Sequence, residues 1–428
     1  MGASSEIVVK FFTDVYPELA TILIEYAGRR ILIDPGINQR FYSADKIISR
    51  YDVAHLDAII LTHYHGDHCN TLGRILARNL FKGVVICHSA TAEVVQAYFH
   101  IASFSTPFRP LEYGKSMSLF DGTTVTLYNA GHVLGSSIVY LQLANKIIMI
   151  TGDLGSKHLP IVRAPHTEFP RQPIDLLLLD AKQAGTDQSA KIKDWTLGDI
   201  LYLKLRDCLQ FDDGNILIYS PLMQIPMLLY CLNYIFNQRK YLDVSLDIAN
   251  VFVDTDNLLI ELLRIFDHYQ SLFDRDEPEY IPADRQPFSF RKLTMALPNL
   301  EQELERAVIL IHYRPTFIKF FNQFKRFDKN DVLLLNENIF HALEGQIHHI
   351  TRDCNIQIKR LPFLHYHPDA AELVAWHRAV QEHAVIGQTV LYHYRDPNRI
   401  NEIRHHLQDA FNSPVLPIHH IMNHQLAI

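Results

Sequence analysis

The sequence predicts an α/β (α+β) protein in which one domain is interrupted by another. Three observations carry that reading. From the N-terminus to about residue 190, apolar runs of strand length alternate with turn residues and short helical stretches. From about Ala190 the pattern shifts to longer helical segments between buried strands. After about residue 361 the chain returns to the first style. A chain of 428 residues has room for two or three domains at about 100–200 residues each. The predicted organisation is a first domain in two parts, residues 1–190 and 362–428, with a second domain at 191–361 inserted between them.

Each element follows from local pattern. Thr21–Tyr26 and Arg30–Asp34 are β-rich runs joined at Ala27-Gly28, a hairpin signal. Leu56–Thr62, Gly83–Cys87, Thr123–Tyr128, Ser137–Leu143, Lys146–Thr151 and Ile174–Asp180 are further expected strands, with helices near Thr71–Leu80 and Thr91–Phe99. This order suggests a mixed sheet or a pair of sheets with helices outside. In the insert, strands are expected at Ile216–Tyr219, Val308–His312 and Val332–Leu335, and helices at Met223–Phe236 and Thr316–Phe327. Asp274–Pro287, rich in proline and charge, reads as a surface loop. The closing part reads as strand Ile356–Phe363, helix Pro368–Glu382, strand Thr389–Tyr394, helix Pro397–Phe411 and strand Val415–His419.

Composition narrows the function classes. Forty Lys and Arg against 47 Asp and Glu leave a net charge of −7, without the strongly basic footprint of a free-standing nucleic-acid binder. A local basic cleft or a bound cation can still reverse the sign where it matters. Five cysteines (Cys69, Cys87, Cys208, Cys231, Cys354) without a CxxC pair read as reduced thiols, which fits a cytoplasmic protein. The first residues carry no basic region followed by an apolar stretch, so no secretory signal is expected. No apolar run reaches the ~18–20 residues that span a bilayer, so no membrane partner is expected.

Twenty-four histidines raise the question of which are chemistry. Residues 59–68 read Ile-Ile-Leu-Thr-His-Tyr-His-Gly-Asp-His, an apolar strand running directly into His63-x-His65-x-Asp67-His68. At a strand end the period is near two, so His63 and His65 face the same way and can hold one cation. Gly66 permits a sharp turn that can send Asp67 and His68 to a second cation. Imidazole and carboxylate ligands suit zinc, with manganese or iron as alternatives. Asn129-Ala130-Gly131-His132 and Thr151-Gly152-Asp153 also end strands, and each offers a ligand to the same place.

Together these segments resemble the metal motifs of the metallo-β-lactamase fold, and their continuation resembles its β-CASP nuclease branch. Gly131-His132-Val133-Leu134-Gly135-Ser136 and Thr151-Gly152-Asp153-Leu154-Gly155 look like the third and fourth metal motifs of the RNA-processing nucleases there, which include the cleavage-and-polyadenylation endonuclease and its prokaryotic relatives. Asp34, in Leu32-Ile33-Asp34-Pro35-Gly36, matches the first motif, a structural aspartate. Asp180 stands at the acidic motif A, His367 at the motif B histidine that opens a helix, and His393 at the motif C histidine. His365 competes with His367, but the Pro368-Asp369 and Glu372-Leu373 that follow favour the register with His367. The chain departs from the family at three places. Motif A continues as Ala181-Lys182-Gln183-Ala184-Gly185 rather than Ser/Thr-Tyr-Gly. The insert has Ser220-Pro221-Leu222-Met223-Gln224 where relatives carry an arginine motif, and His312-Tyr313-Arg314-Pro315 where they carry Gly-Met-Leu after a small residue.

The resemblance implies an αββα metallo-β-lactamase sandwich with an inserted β-CASP-like domain. It implies a metal-dependent hydrolase, a ribonuclease that cleaves single-stranded RNA at a dinuclear zinc site, with manganese as the alternative ion. One zinc would be held by His63, His65 and His132, the other by Asp67, His68 and His393, with Asp153 bridging. The catalytic groups would be Asp67, His367 as general acid, and Asp180 orienting it. A protein partner and a homodimer stay open. Rival readings are a catalytically inactive scaffold partner in a nucleic-acid processing complex, a DNA nuclease of the same fold, and a hydrolase of small esters or thioesters. Elsewhere, His419, His420 and His424 read as solvated tail residues, and the phenylalanines of 317–327 as a buried helix face that Lys319, Lys325 and Arg326 can edge.

Overall fold

The computed structural model describes residues 6–12, 20–36, 44–77, 81–100, 108–156, 162–184, 197–208, 215–237, 250–273, 293–294, 308–313, 330–336, 356–361, 367–394, 396–411, 413–421 and 425–428. The expectations for His365, His424, the 274–287 loop and the 316–327 helix lie outside these residues. The chain divides into two units, Met1–Lys193 with Tyr366–Ile428, and Asp194–His365.

The first unit is built on two sheets, each of seven described strands. Across one sheet the strands run Gln425–Ala427, Val8–Phe11, Ile22–Tyr26, Arg29–Ile33, Ala58–Ile60, Val84–Cys87 and Phe108–Pro110, antiparallel as far as Arg29–Ile33 and parallel beyond it. The other runs Val415–Pro417, Ile386–Tyr392, Ile174–Asp180, Lys146–Ile150, Ser137–Leu143, Thr123–Asn129 and Ser116–Phe120. Its first four strands are mutually parallel and the rest antiparallel. Strand alternation explains how the sheets share a core. Ile31, Ile33, Ala58, Ile60 and Ile86 join Val125, Leu127, Val139, Ile148 and Val390 in one apolar cluster. Leu32, Ile59 and Val85 lie on the opposite face and are also fully buried, so that face needs a helix layer. The buried sides of Leu72–Ala77 and Ser89–Tyr98, with Leu72, Ile75, Val94 and Val95, suit it. On the other side, helices Ala370–Gln381 and Pro397–Phe411 add Leu373, Trp376, Leu407 and Phe411 to the shared core. The Leu176–Leu179 run is apolar throughout because its strand is sandwiched between two parallel neighbours and buried on both faces.

The second unit carries a parallel sheet of six described strands in the order Leu293–Thr294, Asn250–Val253, Val308–His312, Ile216–Tyr219, Val332–Asn336 and Gln357–Leu361. Helices Leu197–Cys208, Ile225–Asn237 and Asn257–His268 belong to it. The helix expected from Met223 begins at Ile225, after a 3₁₀ turn at Leu222–Gln224. Pro226 lies in its first turn, where proline costs no hydrogen bond. Among the described residues, no helix is long and apolar enough to cross a membrane.

Parallel strands in both sheets of the first unit end at a common edge. Ile33 pairs with Ile60, Ile150 with Leu178, and Asp180 with Tyr392. Ser137 N donates to Thr62 O across the sheets at 2.8 Å. Polar residues just past those strand ends therefore converge on one place.

Candidate metal centre

Asp34 sets the floor of the site. It follows its strand with φ 48°, a left-handed conformation costing about 1 kcal/mol for a non-glycine residue. Its Oδ1 accepts from Thr62 N at 2.7 Å and its Oδ2 from Thr62 Oγ1 at 2.6 Å. The same Oδ2 takes the His68 Nδ1 proton at 2.8 Å, which aims His68 Nε2 at Asp153 Oδ1, 3.0 Å away. The turn carrying Asp67 packs directly over Gly36. A Cβ on Gly36 would stand 1.7 Å from the Asp67 carbonyl oxygen, so only glycine fits.

Two loops from the second sheet complete the ring. In the first, Ser136 Oγ accepts from His132 N at 3.0 Å and from Val133 N at 3.1 Å, folding the chain so that His132 Nε2 lies 3.1 Å from His65 Nδ1. In the second, Gly152 turns with φ 57° while its α-carbon passes Thr62: a Cβ there would be 2.6 Å from Thr62 Cβ. That tight passage delivers Asp153, 1% exposed, to the centre. Its Oδ2 faces His63 Nε2 at 3.6 Å and His132 Nε2 at 3.5 Å, while its Oδ1 faces His68 Nε2 at 3.0 Å and His393 Nδ1 at 2.8 Å.

His393 follows its strand with φ 57°, the second left-handed non-glycine residue at the site, and also places Nε2 3.5 Å from Asp67 Oδ2. Asp180 accepts from His367 Nδ1 at 2.7 Å, Leu154 N at 3.2 Å and Lys182 N at 3.0 Å. His367 Nε2 then lies 3.4 Å from Asp153 Oδ2. Two residues after His367, a capping box starts helix Ala370–Gln381: Asp369 Oδ1 accepts from Glu372 N at 2.9 Å and Glu372 Oε2 from Asp369 N at 3.2 Å. Ser156 Oγ donates to Glu372 Oε1 at 2.8 Å, tying that cap to the Asp153 loop.

Charge is concentrated and buried. Burial opposes ionisation of Asp67 and Asp153, yet Lys182 and His68 at the first, and His68 and His393 at the second, hold both well below the usual carboxylate range. Burial drives His63 well below its ordinary pKa and His65 to about 4. At His68 burial is outweighed by Asp153, Asp34 and Asp67, which push it up to about 10. His63 Nε2, His68 Nε2 and both Asp153 oxygens are buried without an aligned hydrogen-bond partner. Buried polar atoms in that state are costly unless something else binds them, and this set, imidazole nitrogens around a shared carboxylate, suits divalent cations.

The structure brings every candidate residue to this place. His63, His65, His132 and Asp153 form one group whose ligand atoms all lie within 4.8 Å of one another, and Asp67, His68 and His393 form another. Asp153, Asp180 and His393 make a third combination. Sequence reasoning missed Lys182 as a member of the site. Its Nζ lies 3.0 Å from Asp67 Oδ2 and 3.7 Å from Asp153 Oδ2. The signal was present in the departure after Asp180, where a lysine replaces the small hydroxyl or tyrosine of the family motif. His419, expected in solvent, is half-buried against the Tyr394 hydroxyl, and His420 lies beside Arg404.

Comparison with known proteins gives the class. Residues 29–202 match the beta-lactamase superfamily domain. The mixed α/β architecture of the first unit, with its two sheets, agrees with that match. Similar over nearly its whole length is a crystal structure of a protein of unknown function from Enterococcus faecalis, with a TM-score of 0.62 and 12% identity, covering 99% of this chain and 100% of that one. Among curated relatives, the chain is 24% identical over 316 residues to endoribonuclease ysh1 of Schizosaccharomyces pombe, covering 67% of this chain and 39% of that protein. It is 27% identical over 199 residues to transcription termination factor FttA of Pyrococcus horikoshii, covering 39% of this chain and 30% of that one. The chain thus spans well under half the length of the curated relatives it matches.

Proposed function

We propose that this protein is a metal-dependent hydrolase that cleaves phosphodiester bonds in single-stranded RNA. The observation that carries the reading is Asp153, whose two oxygens are divided between His63 and His132 on one side and His68 and His393 on the other. One cation, zinc or manganese, would be held by His63, His65 and His132, a second by Asp67, His68 and His393, with Asp153 shared. Bound there, the ions supply charge to a phosphate and lower the pKa of a coordinated water.

The chain's own groups do the rest. Asp180 accepts the Nδ1 proton of His367 and so holds the ring with Nε2 directed toward Asp153. A proton on that Nε2 can pass to the leaving oxygen, the role of a general acid. Asp34 and Thr62 keep His68 in the tautomer that presents Nε2. Support for RNA comes from the similarity to an endoribonuclease and from His393 at a position that RNA-directed members of the resembled branch retain. An inert scaffold would be expected to have shed ligands, and this chain keeps all seven. The insert lacks the arginine motif of those relatives, so a partner protein would supply part of the grip on RNA.

The test uses the purified full chain with end-labelled single-stranded RNA and DNA of the same sequence, under matched salt and metal. RNA should be cut faster, and His367→Ala should slow cutting with its metal content unchanged. Equal or faster cutting of DNA would refute the RNA assignment while leaving the phosphodiesterase reading standing.

A further inference from the structure

The side chain of Lys182 sits inside the candidate centre, 19% exposed, and no step proposed above uses it. Its backbone N–H is anchored on Asp180 Oδ1 at 3.0 Å, in the turn that follows strand Ile174–Asp180. The anchor directs the ammonium to Asp67 Oδ2 at 3.0 Å and Asp153 Oδ2 at 3.7 Å. Asp67 belongs to only one of the two main ligand groups, that of His68 and His393. The longer contact, to Asp153 Oδ2, reaches the oxygen that faces His63 and His132, so the first group meets the ammonium from farther off.

We propose that Lys182 is a built-in counterion of the second ligand group, so that the two cation positions load in order, that of His63, His65 and His132 first. The inference rests on the reading of the site as a metal centre and deepens it. An ammonium on Asp67 occupies the oxygen that a cation would need. A cation entering beside it meets a like charge in a partly buried site, where Coulomb interactions are stronger than in water. The first effect is confined to the second position, and the repulsion weakens toward the first, whose shared Asp153 oxygen lies 3.7 Å from the ammonium against 3.0 Å for Asp67. The chain therefore needs a higher metal concentration to fill both positions.

The experiment is a zinc titration of the metal-stripped full chain, followed by calorimetry and by competition with a chromophoric chelator, for wild type, Lys182→Met, Lys182→Gln and Lys182→Arg. Wild type should bind one zinc tightly and a second at least about tenfold more weakly. Lys182→Met and Lys182→Gln should close that gap, and Lys182→Arg, which restores the charge, should keep it. Two equally tight sites in wild type, or isotherms unchanged in Lys182→Met and Lys182→Gln, would overturn the role of Lys182 and leave the metal centre intact. No zinc binding by any of the four proteins would overturn the metal centre itself, and this inference with it.

Discussion

Replacing Asp180 by asparagine separates orientation from metal binding. Asp180 is 1% exposed and accepts three hydrogen bonds, from His367 Nδ1 and Leu154 N on Oδ2 and from Lys182 N on Oδ1. An asparagine keeps one acceptor oxygen. If that oxygen faces His367, its amide NH₂ opposes the Lys182 N–H; if it faces Lys182, the NH₂ opposes His367 and can force the ring to give up its Nδ1 proton. Hydrogen bonds to a charged group contribute about 1.5–3 kcal/mol each, so the variant should lose about that much stability. In the second arrangement the ring is neutral with its one proton on Nε2, a far weaker acid than an imidazolium backed by a carboxylate, and cleavage should fall about 10²–10⁴-fold, the usual contribution of a positioned acid or base. The assay is single-turnover cleavage of labelled single-stranded RNA, with metal content and denaturant midpoint measured on the same sample. A rate within about threefold of wild type with metals in place would refute the orienting role. Loss of a cation in Asp180→Asn would instead make Asp180 a ligand, as its grouping with Asp153 and His393 allows.

Three further outcomes follow from particular contacts. Asp153→Ala removes the carboxylate shared between the two groups and should lower metal occupancy and cleavage together, as read by elemental analysis beside the rate. Gly152→Ala must find room for a Cβ 2.6 Å from Thr62 Cβ at φ 57°, and should cost about 1–3 kcal/mol in chemical denaturation while depleting metal. His377, buried and stacked on Phe411 at 3.6 Å, has its pKa lowered to about 4 by burial. The unfolded chain therefore takes up this proton first, so stability contributed by the neutral ring is complete above about pH 6.5 and is lost as pH falls toward 4, by about 3 kcal/mol at most. His377→Leu should flatten that part of the pH–stability curve, and an unchanged slope would count against the assignment.

The site was legible where ligands crowd a strand end. His63, His65, Asp67 and His68 follow Ala58–Ile60 so closely that the strand's direction alone groups them. Asp153 and His132 are weak signals in sequence when taken singly; the fold joins them to the first cluster because Lys146–Ile150 and Thr123–Asn129 lie in the sheet that shares a core with the first. The left-handed turns at Asp34 and His393 leave no trace in residue type, since neither position is a glycine. In sequence Lys182 is only a departure from the resembled motif, and its place among carboxylates depends on a turn that spacing cannot describe. In the fold, Val8–Phe11 and Gln425–Ala427 escaped notice because runs of four and three residues carry little periodicity. They pair with each other, a contact between the two ends of the chain that no local pattern announces.

The most direct test of the central claim is cleavage of single-stranded RNA by the metal-stripped full chain, before and after zinc or manganese is restored. The stripped protein should leave the RNA intact, and activity should return as cation is added, rising with occupancy of the two groups joined by Asp153. Undiminished cleavage after complete removal of metal, or intact RNA with both positions filled by zinc, would contradict it.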